Sequence, residues 1–487
     1  MPDESAKPTP DPKEKEDKYL IEPEAAPVVT KHSLSVNGKK LDYTATAGMM
    51  PMRTELGEIE AGIYYTAYTV DTKKTRPITF TFNGGPGSSS VWLHLGAVGP
   101  KRVKLADEGM APEPPYELID NLETWLTFTD LVFIDPVGTG FSRSIKKEDE
   151  KKFWGLKGDI ESVGEFIRSY LTEYARWLSP IYLAGESYGT TRSAGLSEYL
   201  FGHGVGLSGI VLVSSILNFQ TARFTKGNDL PYPLFFPTYA ATAWYHKQVS
   251  ASYQKMPLTE FLAEVEAYVE KEYIPALQAG DSLTEMRRQA IAKRLASYCG
   301  LDPEYINLAD LRIHIHRFCK ELLRDSRRTV GRLDSRYIGI DGNPVGEMIE
   351  HDPASTAITA AFTANMNHYV REVLGYKPKL KYNVSAPGDL WKHWEWGSAG
   401  AGYPDTSEAL RSAMSRNPFM KVFVASGYFD LATPYFATEY TIRHMGLDPA
   451  VRQHIAVGYY HSGHMMYVRE DDLKKLRADV EKFYVGS

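Results

Sequence analysis

"PIYLAGESYGTTRSAGLSEYL", residues 180–200, is the stretch that decides the fold of this chain. It opens on an apolar run, 180–185, of the kind found in strands that are buried on both faces. A helical pattern follows at 190–200, and Gly185-Glu186-Ser187-Tyr188-Gly189 stands between the two. Small residues that flank a serine permit a strained turn, which holds the hydroxyl clear of the sheet. The stretch therefore predicts a strand, a sharp turn that presents Ser187, and a helix.

Other short runs are apolar on both faces in the same way, at residues 76–82, 130–135, 209–214, 421–426 and 453–458. An amphipathic segment, 158–178, lies before the strand run at 180–185, and its apolar residues recur at helical spacing. Strand, helix and strand in this order predict a parallel sheet with right-handed crossovers. The sequence therefore predicts an α/β protein with a mostly parallel central sheet flanked by helices.

The strand runs cease between residues 218 and 387, where the chain becomes charged and helical in pattern. A sheet that is interrupted and then resumed predicts a mainly helical cap, 218–387, inserted into a hydrolase-like core. The core then consists of two parts, 29–217 and 388–487. Residues 1–28 are rich in Pro, Glu, Lys and Asp, and we expect them to form a disordered N-terminal tail.

The composition argues against several classes of partner. The chain carries 55 basic and 61 acidic residues, well mixed, for a net charge of -6, which predicts neither nucleic-acid binding nor a polybasic membrane patch. No apolar run approaches the roughly 18 residues of a spanning helix, so we expect no membrane insertion. No signal peptide is visible, which predicts a cytoplasmic protein as written, or a periplasmic or secreted one if a leader was removed. The oligomeric state is left open.

The chain has two cysteines, Cys299 and Cys319, which are too few for a disulfide framework and fit no zinc pattern. We expect both to be small buried apolar residues, although a single bridge between them stays open. We expect no metal site.

A serine hydroxyl is a poor nucleophile near pH 7, so Ser187 requires a base, and the base requires an acid that fixes its tautomer. In α/β-hydrolases these residues follow the serine in the order acid, then histidine, on loops after later strands. Asp430 follows the run 421–426 and His464 follows the run 453–458, at strand ends where such sheets place their sites. We predict a catalytic triad of Ser187, Asp430 and His464, with His461 as the alternative base.

The glycine-rich segment 83–87, Asn83-Gly84-Gly85-Pro86-Gly87, leaves an earlier strand run. A tetrahedral intermediate requires backbone N–H donors, and glycine permits the close backbone approach that brings a second loop to the nucleophile. We predict an oxyanion hole formed by the N–H groups of Gly85 and Tyr188. The alternative is a plain Gly-Pro turn.

Four motifs together resemble the serine carboxypeptidase family of α/β-hydrolases, in a bacterial-like form that lacks the family disulfides. They are NGGPGSSS (83–90), DPVGTGFS (135–142), GESYG (185–189) and SGHM (462–465). The resemblance spans about residues 76–467 and implies an α/β-hydrolase fold. It also implies hydrolysis of the C-terminal residue of peptide substrates through an acyl-enzyme, with no cofactor.

In the family that this chain resembles, the C-terminal carboxylate of the substrate is held by residues that match Asn83 and Glu186. Two carboxylates that face each other in a dry pocket cannot both ionise, so Glu186 has to carry a proton. We therefore expect peptidase activity that is strongest at acid pH. Met465 matches a methionine near the leaving residue and is the predicted substrate-pocket residue; for Tyr459 and Tyr460 we expect core packing.

Some positions depart from the family pattern. Ala97 stands where the family has a second glutamate, Thr81 where it has a tryptophan, and Ser88 where it has a cysteine. The network that recognises the carboxylate is therefore incomplete. Two alternatives stay open: an esterase or acyltransferase that uses the same triad, and an inactive binding protein.

Overall fold

The computed structural model describes residues 21–72, 74–388, 390–397 and 402–486. Its centre is a ten-stranded mixed sheet. In chain order the strands are β1 (Val28–Val36), β2 (Lys39–Arg53), β3 (Ile59–Thr69), β4 (Ile78–Phe82), β5 (Asp130–Ile134), β6 (Arg143–Ser144), β7 (Ile181–Glu186), β8 (Gly209–Val213), β9 (Lys421–Gly427) and β10 (Ile455–Tyr460).

The strands lie in the order β1-β2-β3-β5-β4-β7-β8-β9-β10, and β6 pairs with β3. All neighbouring pairs from β5 to β10 are parallel. The pairs that involve β1, β2, β3 and β6 are antiparallel. Every residue of β4, β5, β7 and β8 is buried, because helices cover both faces of the sheet at its centre. The prediction of a mostly parallel central sheet is confirmed.

The longer helices are α1 (Leu156–Glu173), α2 (Tyr188–Gly202), α3 (Pro231–Tyr245), α4 (Leu258–Tyr268), α5 (Glu285–Cys299), α6 (Pro353–His368), α7 (Ser407–Arg416), α8 (Tyr435–His444) and α9 (Glu470–Val485). Shorter helices are Val91–Leu93, Ala251–Gln254, Ile274–Ala279, Pro303–Leu308, Ile315–Glu321, Leu390–His393 and Pro449–Arg452. Helix α1 lies in the chain between the parallel strands β5 and β7, which flank β4 in the sheet, and is therefore a crossover helix. Helix α2 follows β7 directly.

Helices α3 to α6 lie in the chain between β8 and β9, where the sequence predicts an inserted cap. The same stretch contains a small sheet of Thr329–Val330 and Ile338–Gly339. Side chains of α3, α4 and α5 share a hydrophobic cluster that includes both cysteines, which are unpaired thiols. The domain boundaries themselves stay a prediction, and residues 1–20 of the predicted tail lie outside the described residues. Within the described part of the chain, every helix is too short or too polar to cross a membrane.

Candidate active site

Ser187 occupies the turn between β7, which ends at Glu186, and α2, which begins at Tyr188. Its backbone has φ 60° and ψ -128°, a region that costs a non-glycine residue about 1–3 kcal/mol. Hydrogen bonds hold this conformation: the Ser187 N–H donates to the Val213 carbonyl at 3.0 Å, and the Thr190 N–H donates to the Ser187 carbonyl at 2.8 Å. The sequence prediction of a strained turn that presents this serine therefore matches the backbone.

The glycine-rich loop after β4 packs directly against this turn. A Cβ atom on Gly84 would lie 2.4 Å from the Tyr188 nitrogen and 2.7 Å from the Glu186 carbonyl oxygen, so only glycine fits. The close approach therefore belongs to Gly84, while Gly85 next to it is exposed and has φ +101°. The Tyr188 N–H stands at the first position of α2, where no helical carbonyl can accept it. Among the described residues the Gly85 N–H has no backbone acceptor either.

Asp430 and His464 form a hydrogen bond of 2.8 Å between Oδ2 and Nδ1, and both side chains are buried. Asp430 also accepts hydrogen bonds from the Ala432 N–H at 2.8 Å, the Thr433 N–H at 3.0 Å and the Thr433 hydroxyl at 2.7 Å. Burial alone would raise the pKa of Asp430, but His464 and the two Thr433 donors lower it. Burial would lower the pKa of His464, but Asp430 raises it. The carboxylate is thus ionised and orients the imidazole.

The end of β8 connects the turn at Ser187 with the loop of His464. Val213 accepts the Ser187 N–H, and the hydroxyl of the next residue, Ser214, donates to the His464 carbonyl at 2.5 Å. In the described structure Ser187 Oγ and His464 Nε2 form no hydrogen bond, and such bonds are often long before substrate binds. His461, the alternative base, is exposed and packs edge-on against Tyr428, with ring centroids 5.6 Å apart.

Asn83 and Glu186 are both buried, with 1% and 3% of their surfaces exposed. Asn83 Oδ1 accepts the Leu93 N–H at 3.0 Å, so its amide nitrogen points the other way, where it has no hydrogen-bond partner among the described residues. Glu186 Oε2 accepts a hydrogen bond from the hydroxyl of Tyr467 at 2.6 Å. Burial raises the pKa of Glu186 to about 7, although His464, Tyr467 and Asn83 each oppose the rise. A carboxyl group that keeps its proton to near neutrality therefore lies beside a free amide donor.

A buried ion pair that the sequence patterns do not predict lies behind these residues. Arg192 of α2 binds Asp159 of α1 through two hydrogen bonds, 2.7 and 3.0 Å long, and both side chains are at most 2% exposed. A third donor of the same guanidinium, Nη1, binds the Asn83 carbonyl at 2.8 Å. The guanidinium carbon also lies 5.3 Å from the ring centroid of Tyr188. Arg192 therefore holds the glycine-rich loop and α2 together.

The motif at 135–142 also supports the glycine-rich loop. Asp135 Oδ1 accepts hydrogen bonds from the N–H and the hydroxyl of Ser90, both at 2.8 Å. Burial raises the pKa of Asp135 to about 6. A Cβ atom on Gly140 would lie 1.8 Å from Asp135 Oδ2, so this glycine leaves room for the carboxylate. The motif thus has a structural part in fixing the loop.

The remaining predicted residues pack into the protein. Met465, which follows His464, is 8% exposed and belongs to the core cluster of the sheet. Tyr460 is fully buried and donates to Asp479 Oδ2 at 2.8 Å. Tyr459 donates to Glu439 Oε1 at 2.5 Å.

A segment of the region between β8 and β9 holds the loops that carry Asp430 and His464. The His464 N–H donates to the Leu333 carbonyl at 2.6 Å, and the Gly463 N–H donates to Asp334 Oδ2 at 2.9 Å. The Leu431 N–H donates to the Arg332 carbonyl at 3.0 Å. His464, the predicted base, is therefore fixed by contacts from outside the sheet.

Comparison with known proteins identifies relatives over most of the chain. Residues 41–471 match the model of the family described as serine carboxypeptidase. Serine carboxypeptidase-like 16 of Arabidopsis thaliana is 31% identical over 151 residues, which cover 29% of this chain and 33% of that protein. The pheromone-processing carboxypeptidase KEX1 of Yarrowia lipolytica is 32% identical over 148 residues, which cover 26% of this chain and 22% of that protein. The chain spans about a third of the length of the first curated relatives that it matches.

Among solved structures, the crystal structure of Kex1(delta)p, a prohormone-processing carboxypeptidase from Saccharomyces cerevisiae, is similar with a TM-score of 0.55. The sequences are 15% identical, and the match covers 91% of each chain. The likeness extends over nearly the whole fold, and the predicted α/β-hydrolase fold is confirmed.

Proposed function

Because the chain belongs to the serine carboxypeptidase family, we propose that it removes the C-terminal residue from peptides through an acyl-enzyme intermediate. The observation that carries the proposal is that a candidate base lies beside groups suited to bind a carboxylate. Asp430 and His464 form a hydrogen-bonded base. Glu186 lies close enough to His464 for each to shift the pKa of the other, and Asn83 lies beside it with a free amide donor. A base next to two groups suited to bind a carboxylate favours cleavage beside a free C-terminus.

In the proposed reaction His464 takes the proton from the Ser187 hydroxyl, and the oxygen attacks the carbonyl carbon of the last peptide bond. Asp430 keeps the other imidazole proton on Nδ1 and stabilises the imidazolium. The N–H groups of Gly85 and Tyr188 stabilise the oxyanion. His464 then gives its proton to the departing amino group, and water releases the acyl group by the same route.

Substrate selection requires that Glu186 be protonated. The free amide nitrogen of Asn83 can donate to the C-terminal carboxylate, and a protonated Glu186 can donate to it as well. As the pH rises through the pKa of Glu186, about 7, the side chain ionises and repels the substrate carboxylate. We therefore expect affinity for free C-termini at acid to near-neutral pH and loss of that affinity above it.

Comparison of three substrates tests the proposal: a blocked dipeptide with a free C-terminal carboxylate, its amide, and a simple ester. We expect kcat/KM for the free acid to exceed that for the amide by at least about 100-fold near pH 5, since the amide cannot form a charge-assisted hydrogen bond with the site. Equal rates on all three would contradict carboxypeptidase activity and indicate an esterase. Transfer of the acyl group to an added alcohol in preference to water would indicate an acyltransferase.

Matched variants test the assignment of the base and the nucleophile in the same assay. Ser187→Ala and His464→Ala are each expected to lower turnover by several orders of magnitude, because members of a triad act as a unit. The control His461→Ala should retain nearly normal turnover, since this side chain is exposed and lies against Tyr428. Failure of a fluorophosphonate to label Ser187 in the wild-type protein would contradict the proposal and favour an inactive binding protein.

A further inference from the structure

Tyr467 lies next to Glu186 in the candidate active site, on the loop that also carries His464. Its hydroxyl donates to Glu186 Oε2 at 2.6 Å, and both side chains are buried, with 1% and 3% exposed. The side-chain amide of Asn83 is the other hydrogen-bonding group that acts on the Glu186 carboxyl group. The Tyr467 hydroxyl therefore holds one oxygen, Oε2, in a fixed position.

The ring of Tyr467 packs against Gly96, which belongs to a distant segment of the chain. A Cβ atom on Gly96 would lie 2.5 Å from Cε2 and 2.8 Å from Cδ2 of the Tyr467 ring, so a larger residue there would displace the ring. The next residue is Ala97, where the family resemblance implies a second glutamate. Gly96 and Ala97 belong to one helical turn, His94–Val98, that is buried throughout. The lack of a side chain at Gly96 is thus matched by the presence of the Tyr467 ring.

Resting on the carboxypeptidase function proposed above, we propose that Tyr467 is a positioning residue for Glu186. Its hydroxyl holds Oε2 and thereby presents the protonated Oε1 to the C-terminal carboxylate of the substrate. Burial raises the pKa of Tyr467 well above its usual range, so the hydroxyl remains a donor at every working pH. A donor on Oε2 favours the proton on Oε1, which can then donate to the substrate carboxylate.

The same hydrogen bond determines how far up the pH scale Glu186 keeps its proton. A donor to the ionised form lowers the pKa of a carboxyl group, so Tyr467 opposes the effect of burial. The other groups that act on Glu186 are His464 and Asn83, which also lower its pKa, and Asp430, which raises it. Removal of the Tyr467 hydroxyl should therefore raise the pKa of Glu186.

The test is the pH dependence of kcat/KM for Tyr467→Phe and the wild-type protein, with a free-acid peptide and with an ester that has no carboxylate. For the free acid we expect the alkaline limb to move up by about one pH unit, as the loss of one hydrogen bond to a charged group implies. We also expect a higher KM at low pH, because Glu186 is no longer oriented. The alkaline side of the ester profile should not move, because the ester has no carboxylate for Glu186 to bind. The ester is needed because His464 and Glu186 titrate together, and an effect on His464 would appear with both substrates.

Tyr435→Phe is the matched control. Tyr435 is also buried, and its hydroxyl donates to a carboxylate oxygen, Glu266 Oε1, at 2.6 Å. Glu266 belongs to α4, one of the helices between β8 and β9. We expect Tyr435→Phe to lower the free energy of unfolding as much as Tyr467→Phe does and to keep the wild-type pH profile. Site-specific 3-fluorotyrosine at position 467 is a second test that deletes no hydroxyl. Since fluorine makes the phenol a stronger donor, the alkaline limb should then move down.

The outcomes separate the two proposals. If the wild-type protein cleaves free-acid peptides selectively, but Tyr467→Phe and the fluorinated protein both keep the wild-type profile, the proposal for Tyr467 is wrong and the carboxypeptidase function stands. Equal displacement of the free-acid and ester profiles would also overturn it, because the effect would then act on His464. If the wild-type protein shows no selectivity for the free acid, the carboxypeptidase function fails, and the proposal for Tyr467 fails with it.

Discussion

Glu186 and His464 depend on each other for their protonation states. The proposed reaction needs a protonated Glu186 and a neutral His464, which together hold as many protons as an ionised Glu186 beside a protonated His464. Burial raises the pKa of Glu186 to about 7 against the charge of His464. Burial lowers the pKa of His464, but Asp430 and Glu186 raise it overall. The productive form therefore occupies a limited pH window, and the limbs of the pH profile belong to both groups jointly.

Glu186→Gln should widen this window at both ends. The amide of glutamine is a donor at every pH, so the alkaline limb for free-acid peptides should disappear. Loss of the negative charge also removes one of the effects that raise the pKa of His464, so the acid limb should move to lower pH. The measurement is kcat/KM against pH from 4 to 10 with a free-acid peptide. With the carboxylate-free ester as control, we expect only the acid limb to move; an alkaline limb that persists with the free-acid peptide would show that a different group controls binding.

The sequence predicts some residues of the site much better than others. Asp430 and His464 can be found because each follows an apolar strand run and because the order of a triad is fixed in this fold. Their hydrogen bond in the structure agrees with that prediction. Tyr467 carries no such signal, since its contact with Glu186 depends on the space above Gly96, which lies far away in the chain. A departure such as Ala97 does not by itself indicate which residue acts in its place.

At the scale of elements, the active-site turn is stabilised by the neighbouring glycine-rich loop. The loop touches the turn at Gly84, where a Cβ atom would lie 2.4 Å from the Tyr188 nitrogen. Arg192, fully buried in α2, binds the carbonyl of the residue before Gly84 and so fixes the loop from the other side. The proposed oxyanion hole would thus depend on the packing of this loop against the start of α2.

Gly84→Ala should abolish most activity and leave the fold intact. The added methyl group has to push the loop and the turn apart by about 1 Å, and a displacement of this size can cost about 100-fold in rate. Gly202→Ala is the matched control, because this glycine lies at the end of α2 with nothing within 4 Å of its Cβ position. We expect normal kcat in the control and a loss of at least about 100-fold in Gly84→Ala, with both unfolding transitions measured by circular dichroism. Normal turnover in Gly84→Ala would show that the loop takes no part in catalysis.

The sequence predicts strands best where both faces of the strand are buried, and it gives a weaker signal for a strand with an exposed face. The six apolar runs all become strands. Five of them, β4, β5, β7, β8 and β9, are almost wholly buried because helices cover both faces of the sheet, whereas β10 lies at the edge and is only partly buried. Strand β1 alternates between exposed and less exposed residues and contains polar side chains, so its pattern is weak. Arg192 would ordinarily indicate a solvent-facing position of a helix, and its ion pair with Asp159 compensates for the burial of its charge.

At the scale of the whole molecule, the active site joins the sheet to the region between β8 and β9. Ser187 follows a strand of the sheet that precedes this region, whereas Asp430 and His464 follow strands after it. The sequence predicts such an insertion from the loss of strand runs. It does not predict that residues of this region hold the loop of His464, because hydrogen bonds such as that from Gly463 to Asp334 leave no local pattern. The region between β8 and β9 is therefore expected to affect catalysis through the position of His464.

Asp334→Ala tests whether the region between β8 and β9 positions the base. Asp334 accepts the Gly463 N–H and binds Arg336, and both charged side chains are buried, with 6% and 4% exposed. Removal of the carboxylate leaves Arg336 without its buried partner, which should lower the free energy of unfolding by about 3 kcal/mol in a urea titration. Loss of the Gly463 contact should also displace His464 and slow the labelling of Ser187 by a fluorophosphonate at least about tenfold in the folded protein.

Glu347→Gln is the control for Asp334→Ala, because it breaks an ion pair with Arg317 in which both side chains are exposed. Surface pairs of this kind contribute little, so neither stability nor labelling should change measurably. Labelling at the wild-type rate in a destabilised Asp334→Ala protein would mean that this carboxylate supports the fold without positioning the base. The hydrogen bond between the His464 N–H and the Leu333 carbonyl, which the substitution leaves in place, would then suffice to hold the imidazole against Asp430.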